Sequence, residues 1–180
     1  MPQLTIVAGG CTDRAGRMST EKLNSMRLLE RSAAAYTVHR YDAASADDAQ
    51  AVARLIGRPV EQVVKTLIAL PDDGRRPVLA MLSSHAVLDL KRLAAALGLK
   101  RLAMAPQRTA EQLSGLLVGG IGALALADRR WPAVLDERAA ALPQICVSAG
   151  RRGVMLELAP ADLLRVLGAK TAAIARDNAD

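Results

Sequence analysis

From about residue 19 onward, apolar positions either alternate with polar ones or recur at three- and four-residue spacing, in short blocks separated by Gly, Pro and Asp. Leu23, Met26, Leu28 and Leu29 begin an apolar helical face that Ser19 or Thr20 can cap. Tyr36–Asp42 alternates and is rich in β-formers, which predicts a strand. Ser45–Asp48 caps a second helix, Ala49–Ile56, stopped by Gly57 and Pro59. Val63–Leu70 is an apolar strand interrupted by one charge, Lys65; Pro71–Gly74 is a turn, and Pro77–Ser83 returns as its partner. Asp89–Leu97 predicts a helix ending at Gly98, Arg101–Ala105 a short strand, and Pro106–Leu113 a helix opened by its proline. A glycine-rich loop, Ser114–Gly122, follows. Trp131–Asp136 and Gln144–Ser148 read as strands with a short helical stretch between them. Ala149–Gly153 is a tight turn into the strand Val154–Leu158. Pro160 starts a helix, Ala161–Leu167, closed by Gly168, and the tail carries weak helical character.

Strands and helices are interspersed without regular βαβ alternation, so the pattern predicts an α+β fold: a mixed sheet with flanking helices. Residues 1–18 stand apart, because Gly9, Gly10 and Gly16 interrupt a segment without amphipathic period. They are expected to form a flexible N-terminal extension, or to precede a true start at Met18, leaving residues 19–180 as one domain.

Composition changes this picture in three ways. Half the chain is hydrophobic (51%), yet it holds no Phe, one Trp and two Tyr, so the core must be aliphatic. The net charge of +6 suits a polyanionic partner such as tRNA, and equally a generic arginine-rich surface. The two cysteines, Cys11 and Cys146, have neither zinc nor CxxC spacing, which fits a reducing cytoplasm. No apolar run is long enough to span a bilayer, and no basic region precedes Leu4–Ala8 to make a secretory signal.

The inventory of reactive side chains is narrow. Two histidines, His39 and His85, have no metal-ligand spacing, and no nucleophile elbow or Cys–His arrangement occurs, so neither metal nor cofactor is expected. His39 and Tyr41 share one face of their strand. Lys65 is more informative: burying an ammonium without partners is costly, so it either meets an anion or carbonyl in a cleft or emerges at a solvated edge. Thr66 points to the opposite face, and simple alternation keeps the two apart. The glycines of the 115–122 loop allow close approach of backbone N–H groups to a ligand carbonyl, as well as a merely structural turn. Ser148 and Arg151 lie at a basic turn that either grips phosphate or is solvated.

An ordered series of motifs gives these residues a context. Leu28-Leu29-Glu30 leads to His39-Arg40-Tyr41-Asp42, then to Val63-Val64-Lys65-Thr66-Leu67 and Asp89-Leu90-Lys91-Arg92-Leu93-Ala94. Gly115, Gly119 and Gly120 follow, then Val147–Gly153, Glu157–Leu163 and Ile174-Ala175-Arg176. In this order and spacing the chain resembles the YbaK/EbsC family of aminoacyl-tRNA deacylases, relatives of the editing domain of bacterial prolyl-tRNA synthetase. The resemblance implies a mixed, strongly twisted sheet, a cleft for the 3′-terminal aminoacyl-adenosine, and hydrolysis of mis-charged tRNA, typically Cys-tRNA(Pro). It places the family's lysine on Lys65, its threonine on Thr66, its aromatic on Tyr41, its glycine loop on Gly115, Gly119 and Gly120, and its serine on Ser148. It also implies prolyl-tRNA synthetase as a partner.

With no metal, nucleophile or histidine base in evidence, the expected mechanism is positioning plus oxyanion stabilisation of an already activated ester. Lys65 would anchor the terminal adenosine or its phosphate, and loop amides at Gly119 and Gly120 would contact the carbonyl. Tyr41, Thr66, Gly115, Ser148 and Arg151 would bind substrate. A cysteinyl substrate would supply its own thiol. Two departures matter: where the family has Gly-Gly-x-x-Pro, this loop ends Gly122-Ala123, which is expected to loosen it, and Met155 stands where relatives carry an acid. They leave open editing of another small amino acid, or a non-catalytic module that binds tRNA or a synthetase.

Overall fold

The computed structural model describes the backbone of Thr5–Ile6, residues 22–46 and residues 48–176. Apart from Thr5–Ile6 (β1), the expected extension and the Ser19 or Thr20 cap lie outside the described residues. Helix α1 spans Asn24–Arg31, later than the apolar pattern suggested, and buries Met26 and Leu29. Strand β2 is Tyr36–Arg40. Helix α2, Ala49–Ile56, starts where the Asp48 carboxylate accepts from Ala51 N–H and stops at left-handed Gly57. Strands β3 (Val63–Pro71) and β4 (Val78–Ser83) form the expected hairpin. Val87–Leu88 (β5) precedes α3, Leu90–Leu97, which Asp89 caps. Then come β6 (Leu102–Met104), α4 (Gln107–Ser114), a 3-10 segment at Ala123–Arg129 that the pattern did not indicate, β7 (Ala133–Asp136) and the short α5 (Glu137–Ala140). Strands β8 (Ile145–Ser148) and β9 (Val154–Leu158) flank the basic turn, and α6 runs over Pro160–Leu167.

The tail is a correction. It holds two short strands, β10 (Lys170–Ala172) and β11 (Ala175–Arg176), not helix. Asp136, buried at the end of β7, accepts from the N–H groups of Ile174 and Ala175 at 3.0 and 2.8 Å. A distant carboxylate thus takes amides that a helix would have used internally, and Ile174 is fully buried beside it.

The main sheet is mixed, in the order β1-β2-β9-β8-β3-β4-β7-β10, with β6 also pairing with β3. One face packs Met26 and Leu29 of α1, Leu163 of α6 and Leu124 and Leu126 of the 3-10 segment against Val64, Ile68, Met81, Leu135 and Leu156. The other face is covered in separate patches. Ala53 of α2 joins Tyr41, Val63, Cys146 and Met155, while Leu93 and Ala94 of α3 cover Ala69, Val78 and Val134. Lys65 falls on this second face, between Val63 of one patch and Ala69 of the other.

A polar cluster lies on the same face within the α2 patch. Glu157 Oε2 accepts from Arg58 at 2.8 and 3.0 Å and lies 2.6 Å from His39 Nε2. Burial pushes the Glu157 carboxyl up, but these hydrogen bonds outweigh it and hold the group below the usual carboxylate range. A depressed carboxyl stabilises the fold above its unfolded pKa, and that stability is lost as pH falls through the folded value. Glu157→Gln is therefore expected to cost about 2 kcal/mol at neutral pH. The gap to wild type should close in acid, as followed by urea melts between neutral and acidic pH.

Candidate active site

Strand β3 carries the site because its neighbours change along its length. On one edge it pairs continuously with β4, from Val64↔Ser83 to Ala69↔Val78. On the other it pairs in parallel with β8 at Val63 and Val64, then antiparallel with β6 from Ala69 to Pro71. Between them Lys65–Leu67 has no ladder partner on that edge, and a cavity of about 530 Å³ opens there. Alternation puts Lys65 and Thr66 on opposite faces, yet both line this cavity, because the sheet between them is split.

The Lys65 ammonium donates to the carbonyl oxygens of Ser84 at 3.1 Å and Ala86 at 2.7 Å, and no carboxylate among the described residues pairs with it. Burial pushes its pKa below that of an ordinary lysine. The Thr66 hydroxyl is buried with no hydrogen-bond partner among the described residues. An unpaired buried hydroxyl costs stability, and Thr66 is a residue of the cavity wall.

The remaining walls come from both sides of the split. Tyr41, Val52, Val63 and Met155 form an apolar end, and Met104, Ala110, Val118 and Ile121 form the opposite side. Burial pushes the Tyr41 phenol up, while the Gly153 amide and the Arg152 guanidinium pull partly back. Arg152 is exposed and lines the cavity beside Gly119; Arg151, the arginine singled out from the sequence, is outside the lining.

The glycine loop contributes less evenly than its sequence suggests. Gly119 lines the cavity. Gly120 does not, and its N–H is donated to the Leu117 carbonyl at 2.8 Å. Gly115 is the left-handed cap of α4, outside the lining. Ser148 lines the cavity, but its hydroxyl donates to the Gly120 carbonyl at 3.0 Å and accepts from Gly150 N–H at 3.3 Å, tying the loop to the basic turn. Gly122, the extra glycine, has extended φ of −135°, and a side chain there would run into the Ser148 carbonyl oxygen. It is a close-packing position, a use of this glycine that the sequence did not indicate.

Neither histidine lines the cavity. His39 is engaged with Glu157, and His85 Nδ1 lies 3.0 Å from the Ser83 hydroxyl. His39, Cys146 and Glu157 bring three metal-ligating atoms within 4.8 Å of one another, but Arg58 already occupies the oxygen a cation would need. Burial pushes the Cys146 thiol up to about 12, so it is protonated and a poor nucleophile at neutral pH.

Residues 43–166 match the family model of the aminoacyl-tRNA editing domain. The chain belongs to this family. Over 163 residues it is 32% identical to an Enterococcus faecalis (strain ATCC 700802 / V583) protein, EbsC, whose name is that of a Cys-tRNA(Pro)/Cys-tRNA(Cys) deacylase; the alignment covers 89% of this chain and 97% of that one. A solved structure titled as a trans-editing enzyme for prolyl tRNA synthetase matches with TM-score 0.69 and 26% identity, over 78% of this chain and 87% of that one. The hypothetical protein APE2540 shares the fold, with TM-score 0.75 and 21% identity over 83% of this chain and 97% of that one. The protein is thus an aminoacyl-tRNA deacylase of the editing type, with an α+β fold common to these relatives. No helix among the described residues is long and apolar enough to cross a membrane.

Proposed function

We propose that the split in β3 is the editing site and that its substrate is mis-charged Cys-tRNA(Pro). The observation that carries this reading is the convergence of Lys65 and Thr66, residues on opposite faces of β3, on one cavity. Lys65 holds the 3′-terminal adenosine and orients the ester. Thr66 Oγ1 and the Gly119 amide contact the carbonyl as its oxygen gains charge. The exposed apolar tip of the loop, Leu117 and Val118, lies against the terminal base. Tyr41 and Met155 close the end that takes the amino-acid side chain. Ser148 supports this site by fixing Gly120, and Arg152 takes the phosphate-gripping role expected of Arg151.

For a cysteinyl ester the substrate thiol loses its proton and attacks its own carbonyl carbon. The C–S bond forms, the ester C–O bond breaks, and the ribose oxygen leaves with a proton as free tRNA; water then opens the cyclic thioester. The likeness to a prolyl-tRNA synthetase trans-editing enzyme supports that synthetase as the partner that selects tRNA. Met155 favours a second reading, in which the apolar end accepts an alanyl side chain instead.

A panel of mis-acylated tRNAs tests both. Cysteinyl-tRNA(Pro) is expected to be hydrolysed fastest by wild type, and alanyl-tRNA in that position favours the second reading. Thr66→Val, which keeps the shape and removes the orphan hydroxyl, is expected to lower kcat about tenfold with melting temperature unchanged or raised. Unchanged kcat would remove Thr66 from the site.

A further inference from the structure

At the far end of β3 three loops come together: the β3–β4 hairpin, the loop from α3 into β6, and the loop into β7. Leu79 N–H donates to the Pro132 carbonyl at 2.8 Å, and Pro71 pairs with Leu102. A second cavity of about 450 Å³ between them is floored by Leu97, Leu99 and Pro132 and rimmed by Arg75 and Arg76. These loops present Arg75, Arg76, Lys100, Arg101, Arg129 and Arg130, all exposed, against Asp72, Asp73 and Asp128. Arg75 pairs with Asp73; the other five cations make no ion pair among the described residues. Elsewhere Lys22, Arg58, Arg92 and Arg165 have carboxylate partners, and Arg54, Lys91, Arg108 and Lys170 are unpaired among the described residues but are not gathered on adjoining loops of one cavity. The cations outnumber the carboxylates on these loops, and this net positive arrangement suits a polyanion.

The patch is connected to the active site by one element. Among the described residues strand β6 pairs only with β3. Its last residue, Met104, lines the cavity and is 41% exposed. Its first follows directly on Lys100 and Arg101. Three residues of strand span about 10 Å, so a chain leaving the cavity mouth past Met104 reaches these cations within a few nucleotides.

We infer that this basic end, centred on Arg76, Arg101 and Arg130, binds the phosphate backbone of the tRNA acceptor arm just beyond the ester held in the cavity. The inference rests on the deacylase reading of that cavity. It divides labour within the molecule: the cavity reads the aminoacyl end, and the loops hold the RNA without reading its sequence.

The test replaces one residue per loop, Arg76→Glu, Arg101→Glu and Arg130→Glu together, with the Arg→Lys triple variant as control. Affinity for uncharged tRNA(Pro) is measured by fluorescence anisotropy over about 50 to 200 mM salt. Deacylation is measured on full-length mis-acylated tRNA and on the aminoacylated CCA trinucleotide. The Glu variant is expected to raise Kd and KM for tRNA at least about tenfold and to flatten the log–log salt slope by about 2, with trinucleotide hydrolysis unchanged and the Lys variant near wild type. Unchanged Kd and slope overturn the inference, as does an equal loss on the trinucleotide. Loss of prolyl-tRNA synthetase binding with tRNA affinity intact overturns it too, and gives the surface to a protein partner. Failure of the underlying reading shows separately, as wild-type protein that binds tRNA but hydrolyses neither substrate.

Discussion

Replacing Lys65 with alanine is expected to lower kcat/KM for mis-acylated tRNA by about 100-fold or more, the size seen when a preorganised charge-stabilising donor is removed. Among the described residues Lys65 supplies the one ammonium lining the cavity, and its two protein acceptors there are neutral carbonyls, so its charge is left for the substrate. Lys65→Met separates charge from packing, since the aliphatic stem is kept. Both variants should lose activity alike if the charge matters. Lys65→Arg keeps a permanent charge in a different shape and should recover part of the rate. Because burial depresses the lysine pKa, wild-type activity should decline at a lower alkaline pH than a free lysine would dictate. That limb should be absent in the arginine variant. Single-turnover deacylation across pH, corrected for spontaneous ester hydrolysis, measures all four proteins. Full activity of Lys65→Ala on every aminoacyl-tRNA tested would sink the proposed site.

The parts of this molecule that follow from local pattern were legible. Helix α2 falls within the bounds set by Asp48 and Gly57, and the β3–β4 hairpin within those set by its apolar runs and the Pro71–Gly74 turn. The aliphatic core holds as well: the largest fully buried side chains are Leu, Ile, Val and Met, and the two tyrosines are each 8% exposed. Long-range pairing was not legible. Alternation along β3 separates Lys65 from Thr66, and only the departure of β8 and the arrival of β6 bring both to one cavity. The tail became strand because Asp136, about 38 residues away, captures its amides. The choice between Arg151 and Arg152 depended on how a glycine-rich turn is wound, with Gly150 at φ +97° and Gly153 at φ +82°. In each case the deciding partner lies far along the chain, or in a backbone conformation that only glycine makes accessible.

Gly122 is held in a backbone contact made far along the chain. In the sequence it replaces part of a stiffer family pattern and suggests slack. In the fold its Cα lies against the Ser148 carbonyl, with the Gly150 N–H also within reach of any added methyl. Gly122→Ala must therefore push the glycine loop away from the basic turn. Because Ala123 and Leu124 behind it are buried in the core, the loop has little room to retreat. The displacement would also break the Ser148–Gly120 hydrogen bond and move Gly119 and Arg152 at the cavity wall. A loss of about 3 kcal/mol in stability is expected, at the upper end for an inserted methyl, since the obstacle is backbone and not a flexible side chain. Deacylation by the folded fraction should fall about tenfold, because a misplacement of an ångström at a positioning site is costly. Urea melts and single-turnover rates at a temperature where the variant stays folded measure the two effects separately. A variant with wild-type stability and rate would mean that the loop is as slack as its sequence suggested, and that the Gly119 amide is not held in place for the ester.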